Sequence, residues 1–207
     1  MRRDIIVAGA SAGGVEALGR LVRALPERFP AVVFLALYLS PLRRSILLRI
    51  LSRVSALHVT HPADGEVFQR GRVYVAPPDH HPMLMPEGTI HLSRGPRENG
   101  ARPAVDPLFR SAALAFGQRA IGVVLTGNLD DGTAGLQAIK RLGGVAIVQD
   151  PDEADFAGMP DSAIEQVQVD YVAPLDRIGR LLVQLADGDA QTRANMDDGR
   201  RGDPPET

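Results

Sequence analysis

Four short runs of apolar, largely β-branched residues, Ile5–Ala8, Val32–Leu37, Ile121–Leu125 and Val145–Val148, constrain this chain more than any other feature. Runs of this length and composition are strands buried on both faces. The first three are each followed by helical spacing, as with Val15, Leu18, Val22 and Leu25 after the first. Strands that alternate with helices need crossovers, and crossovers produce a parallel sheet covered on both faces. The expected fold class is therefore α/β, a doubly wound and mostly parallel sheet.

Between Val59 and Ser93 the pattern changes to short segments punctuated by "ADG", "QRGR", "APPD" and "PEG", which predicts a small antiparallel excursion. "VDPLFRSAALAF" returns to helix, "DYVAP" supplies a last strand, and "LDRIGRLLVQL" reads as a closing helix with Leu175, Ile178, Leu181, Leu182 and Leu185 on one face. Residues 187–207 have almost nothing to bury and read as a disordered tail after one domain spanning residues 1–186. The 207 residues suffice for a sizeable core.

Composition excludes several kinds of function. Net charge is −2, which offers no electrostatic footprint for nucleic acid. There is no cysteine, so disulfides, thiolate metal sites and a cysteine nucleophile are out. The longest apolar run, "AVVFLALYL", is too short to span a bilayer, and nothing at the N-terminus reads as a signal peptide. A cytoplasmic protein is the expectation.

The turn "GASAGGVEAL" joins the first strand to its helix. Such a turn either cradles a cofactor phosphate or carries a nucleophile beside helix N–H groups. Gly9, Gly13 and Gly14 fit neither the dinucleotide nor the P-loop spacing, and no lysine follows. Ser11 is then a candidate nucleophile, with a helix N-cap as the alternative. In "VVLTGNLDDGTAGL", Asp130 and Asp131 fall at the carboxyl end of a strand, where open α/β sheets place ligands. One acid is expected to cap the following helix and the other to orient a base. Tyr38 and Ser40 end the second strand at the same level, but no imidazole stands between serine and acid.

"GASAGGVEAL", "VYVAPPDHHPML", "RPAVDPLFRSAA", "VVLTGNLDDGTAGL" and "VQDPDEADFAGMPDSAI" occur in the order and with the approximate spacing of the catalytic domain of the protein-glutamate methylesterases, the CheB family, over Asp4 to Leu185. The resemblance implies a hydrolase that removes methyl groups from glutamyl esters of chemoreceptor signalling helices, in some members deamidating glutamine, with no cofactor and no metal. It maps the nucleophile to Ser11 and the acid to Asp131. The family's histidine position is Tyr38, so a catalytically impaired protein that binds receptor helices is the alternative expectation.

The resemblance also assigns Ala12, Gly13 and Asn128 to the oxyanion region, Asn128 and Leu129 standing in the family's "TGMG" turn. It places His81 on the active-site rim and Met159 in the cleft wall. The family's full-length members carry a receiver domain that these residues do not supply, so control by a separate regulator is expected. His80-His81 is a weak metal candidate, because adjacent loop residues rarely face one ion. Arg43, Arg44 and Arg49 form a basic cluster suited to an acidic receptor helix.

Overall fold

The computed structural model describes residues 3–37 and 46–188. In chain order the elements are β1 (Ile5–Ala10), α1 (Gly14–Arg23), β2 (Val32–Leu37), α2 (Ile46–Val54), β3 (His58–Thr60), β4 (Glu66–Val67), β5 (Arg72–Val75), β6 (His81–Leu84) and β7 (Thr89–Ser93). There follow α3 (Val105–Phe116), β8 (Ala120–Val124), α4 (Thr133–Arg141), β9 (Val145–Gln149), α5 (Gly158–Gln166), β10 (Tyr171–Ala173) and α6 (Leu175–Asp187). The expectations for Tyr38, Ser40, Arg43 and Arg44, and for the tail from residue 189 on, lie outside the described residues.

Seven strands form one sheet in the order β10-β9-β8-β1-β2-β5-β3, all paired in parallel. Alternate side chains sort into two cores, as a pleated strand buried on both sides requires. Ile6, Ala8, Val33, Leu35, Ile121 and Val123 pack on one face with Leu18, Leu21, Leu51 and Ile178 from α1, α2 and α6. Ile5, Val7, Phe34, Ala146 and Val148 pack on the other with Leu108, Phe109, Leu136 and Ala163 from α3, α4 and α5. The doubly wound architecture expected from the four apolar runs is the one observed.

The small antiparallel excursion expected within residues 59–93 is present, but it takes up only part of that span. Only β4, β7 and β6 form the antiparallel sheet, whereas β3 and β5 extend the main sheet in parallel beyond β2. Val73, Tyr74 and Val75 are buried without alternation, the mark of an interior strand; the turns on either side masked it. A helix, α5, also follows the fourth apolar run.

The chain runs from β1 to β2 on one side and from β8 to β9 on the other. The crevice between the carboxyl ends of β1 and β8 is thus a topological switch point, where such sheets bind ligands. The opposite edge is braced by Asp4, only 1% exposed, which accepts hydrogen bonds from Arg70 and from Arg119 Nε at 2.8 Å. Burial raises the Asp4 carboxyl, but the two guanidiniums outweigh it and hold the group below the usual aspartate range.

Candidate functional site

Ser11 follows β1 directly. Its N–H donates to Thr126 O at 3.0 Å and its carbonyl accepts from Gly14 N at 3.0 Å, which turns the chain sharply into α1. Gly13 caps that helix at φ 75°. A Cβ there would sit 2.9 Å from an Asp155 carboxylate oxygen and 3.1 Å from the Thr126 methyl, so glycine is required by conformation and by space. Ser11 is therefore not the N-cap of α1, the alternative its residue type allows. The N–H groups of Ala12 and Gly13 stand at the entrance to α1, directly after Ser11. Beside a serine at a helix start they are suited to an oxyanion.

Ala10 pairs with Leu37 in the β1–β2 ladder. Ser11 and Tyr38 are the residues that follow these partners in the chain.

The loop after β8 is stitched to the Ser11 turn by its first residues. Thr126 N donates to Gln149 Oε1 at 2.9 Å, and Thr126 Oγ1 donates to Ala12 O at 3.1 Å while accepting from Phe156 N at 2.9 Å. Gly127 passes so close to the serine that a Cβ on it would lie 3.0 Å from Ser11 Cβ and 2.1 Å from Met159 Sδ. Met159 is fully buried and packs against Gly127. Asn128 is exposed on the same loop.

Asp131 lies at the far end of this loop, but its hydrogen bonds differ from the expectation for the acid pair. Oδ2 accepts from Val105 N at 2.8 Å, and Oδ1 from Asp106 N at 3.1 Å and Asn99 Nδ2 at 2.9 Å. Asp131 therefore caps α3, a helix distant in sequence, and neither aspartate of the pair caps α4, whose N-cap is Gly132. Asp106 returns the contact, its Oδ1 accepting from Gly132 N at 3.1 Å and Gly135 N at 2.6 Å. Asn99 bridges both carboxylates, with 3.1 Å to Asp106 Oδ2. Burial, helped by the Asp106 charge, raises the Asp131 carboxyl, against hydrogen bonds from Val105 N, Asn99 and Asp106 N. Among the described residues Val105 N is the one donor to Asp131 Oδ2, and a carboxylate oxygen can accept a second hydrogen bond.

His81 is the clearest displacement from expectation. It is 3% exposed; its Nε2 donates to Pro96 O at 3.0 Å and its Nδ1 accepts from Ala104 N at 3.2 Å. With both ring nitrogens engaged, it is a buried structural histidine and not a rim base. It lines a cavity of about 520 Å³ between β6, β7 and α3. His80 is likewise occupied, by Pro78 O at 2.9 Å and Arg94 Nε at 3.0 Å.

Asn99, Asp106 and Gln149 were not singled out from sequence. Asp106 and Gln149 stand inside the quoted motifs, and an acid in the first turn of α3 was a visible capping signal. Asn99 had no signal, since its role depends on contacts across 32 positions.

Comparison with known proteins identifies the family. The family model described as CheB methylesterase matches residues 6–182. A Leptospira interrogans protein named provisionally as a protein-glutamate methylesterase/protein-glutamine glutaminase is 37% identical over 193 residues, 93% of this chain and 100% of the relative. The methylesterase FrzG of Myxococcus xanthus is 37% identical over 183 residues, 88% of this chain and 55% of FrzG. The crystal structure of the Thermotoga maritima CheB methylesterase catalytic domain superposes with a TM-score of 0.84 at 35% identity, covering 89% of this chain and all of that one. The family-model match over most of the chain and the identity to full-length relatives make this chain a member of the CheB methylesterase family.

Proposed function

We propose that this chain is a carboxylic ester hydrolase that cleaves glutamyl methyl esters on chemoreceptor-type signalling proteins, with deamidation of glutamine as the same chemistry on an amide. The observation that carries the reading is the Ser11 turn, laced to the Thr126–Gly132 loop at the switch point of a CheB-family fold. In this reading Ser11 Oγ attacks the ester carbonyl, the N–H groups of Ala12 and Gly13 hold the resulting oxyanion, and methanol leaves once the methoxide gains a proton. Water then releases glutamate and restores the serine. Asp131 is the acid of the site.

Tyr38, at the position of the family's histidine, favours a second reading, a protein that binds methylated receptor helices without turning them over. A phenol with an ordinary pKa near 10 takes a hydroxyl proton poorly at neutral pH (imidazole, about 6.5). Removal of one triad member typically leaves residual catalysis of about 10³-fold over water, so the expected enzyme is slow rather than inert. Methanol release from a methylated receptor fragment, compared with Ser11→Ala, decides between the two. Turnover above that variant supports the hydrolase; none, with binding retained, selects the binding protein.

A further inference from the structure

Leu129 adopts φ 64° and leaves 74% of its surface exposed. The left-handed region brings Cβ against the following carbonyl, so side chains other than Gly, Asn and Asp seldom occupy it. This leucine gains little internal packing in return. Strain retained at an exposed apolar residue argues for a contact made outside the chain.

The position of Leu129 gives that contact a location. It lies two residues beyond Gly127, the glycine that abuts Ser11, and two residues before Asp131. A Cβ on Gly158 would meet Leu129 N at 3.0 Å, so the start of α5 packs closely against this turn. Phe156, 44% exposed, is tied to the same loop through Gly127 N and Thr126 Oγ1.

We infer that Leu129, with Phe156, is a specificity-determining apolar wall beside Ser11 that receives an apolar side chain of the substrate helix one turn away from the esterified glutamate. The inference rests on the esterase-type reading of the Ser11 site. A helix that delivers residue i to Ser11 carries its i±3 and i±4 side chains about 5–6 Å away, within reach of a leucine two residues along the loop from Gly127. A methyl ester is uncharged, so recognition beside it falls to apolar contact.

The test compares the parent with Leu129→Gly and Leu129→Asn, both of which tolerate the left-handed backbone. Binding of a labelled, methylated receptor helix fragment is followed by fluorescence anisotropy, and turnover is followed on the fragment and on p-nitrophenyl acetate. The expected result is about tenfold weaker fragment binding by both variants, and a correspondingly larger loss of kcat/KM on the fragment than on the small ester. Unchanged binding, no binding by the parent, or equal losses on the two esters overturns the proposal. So does a shift of the parent from dimer to monomer on Leu129→Gly in sedimentation, which would assign the patch to a second copy. Absence of methanol release above Ser11→Ala would overturn the esterase reading alone, and the binding arm would still decide the role of Leu129.

Discussion

At the scale of single residues, the two proposed readings divide at position 38. Among the described residues, the serine turn and the capping aspartate are held by hydrogen bonds to Thr126, Val105, Asp106 and Asn99. On the proposed mechanism, Tyr38→His supplies the base that the Ser11 site lacks. General-base catalysis contributes on the order of 10²–10⁴-fold, and imperfect placement of a new imidazole should cost part of it. A rise of at least about tenfold in kcat/KM on p-nitrophenyl acetate is expected, with none for Tyr38→Phe. No rise in a folded variant would move the deficit to the oxyanion region, with Ala12 and Asn128 the next residues to exchange. His81 does not enter this choice, because Pro96 O and Ala104 N hold both its ring nitrogens.

At the scale of elements, the site depends on two helices that cap each other. Asp131 closes the N-terminus of α3 and Asp106 that of α4, and a lost cap typically costs about 0.5–2 kcal/mol. Asp106→Ala and Asp131→Ala are each expected to lower stability by about 1 kcal/mol in urea titrations. The double variant should lose more than the sum. Either single change already relieves the repulsion between the carboxylates, which the sum counts twice, and each leaves Asn99 one acceptor, whereas the double change leaves it none. A coupling of at least about 0.5 kcal/mol is expected; simple additivity would show that the two caps act independently. Loss of activity in Asp131→Ala consequently reports helix capping as well as chemistry.

Across the whole molecule, function and stability occupy opposite edges of the sheet. The carboxyl ends of β1 and β8 carry the candidate site, while the entrance to β1 carries Asp4, buried between two partly exposed arginines. The Asp4 pKa is lowered in the folded state, so its contribution is fully present above the unfolded value, about 3.9, and is lost as pH falls through the folded value. Asp4→Asn should therefore cost about 1–2 kcal/mol at pH 7, and the gap to the parent should narrow as the pH falls below about 4. Denaturant midpoints at a series of pH values check this; a gap that is independent of pH would assign the cost to packing. Turnover per folded molecule should not follow Asp4.

Much of this architecture was legible in four apolar runs, because a strand buried on both faces writes its environment into consecutive residues. The same locality exposed Ser11, whose turn is spelled out by Gly9, Gly13 and Gly14, and the 126–132 loop. Tertiary structure alone decided the rest. Whether Val73–Val75 joined a parallel or an antiparallel partner depended on its neighbour β2, and its own three residues suit both. That Asp131 caps α3 and not α4, that Asn99 reaches across 32 positions to hold it, and that His81 turns inward to Pro96 and Ala104 all depend on polar groups meeting partners remote in sequence. Hydrophobic burial is close to a sum over residues and leaves a periodic trace in the chain; hydrogen-bond partnership is a property of pairs, and the pairs exist only after the chain has folded.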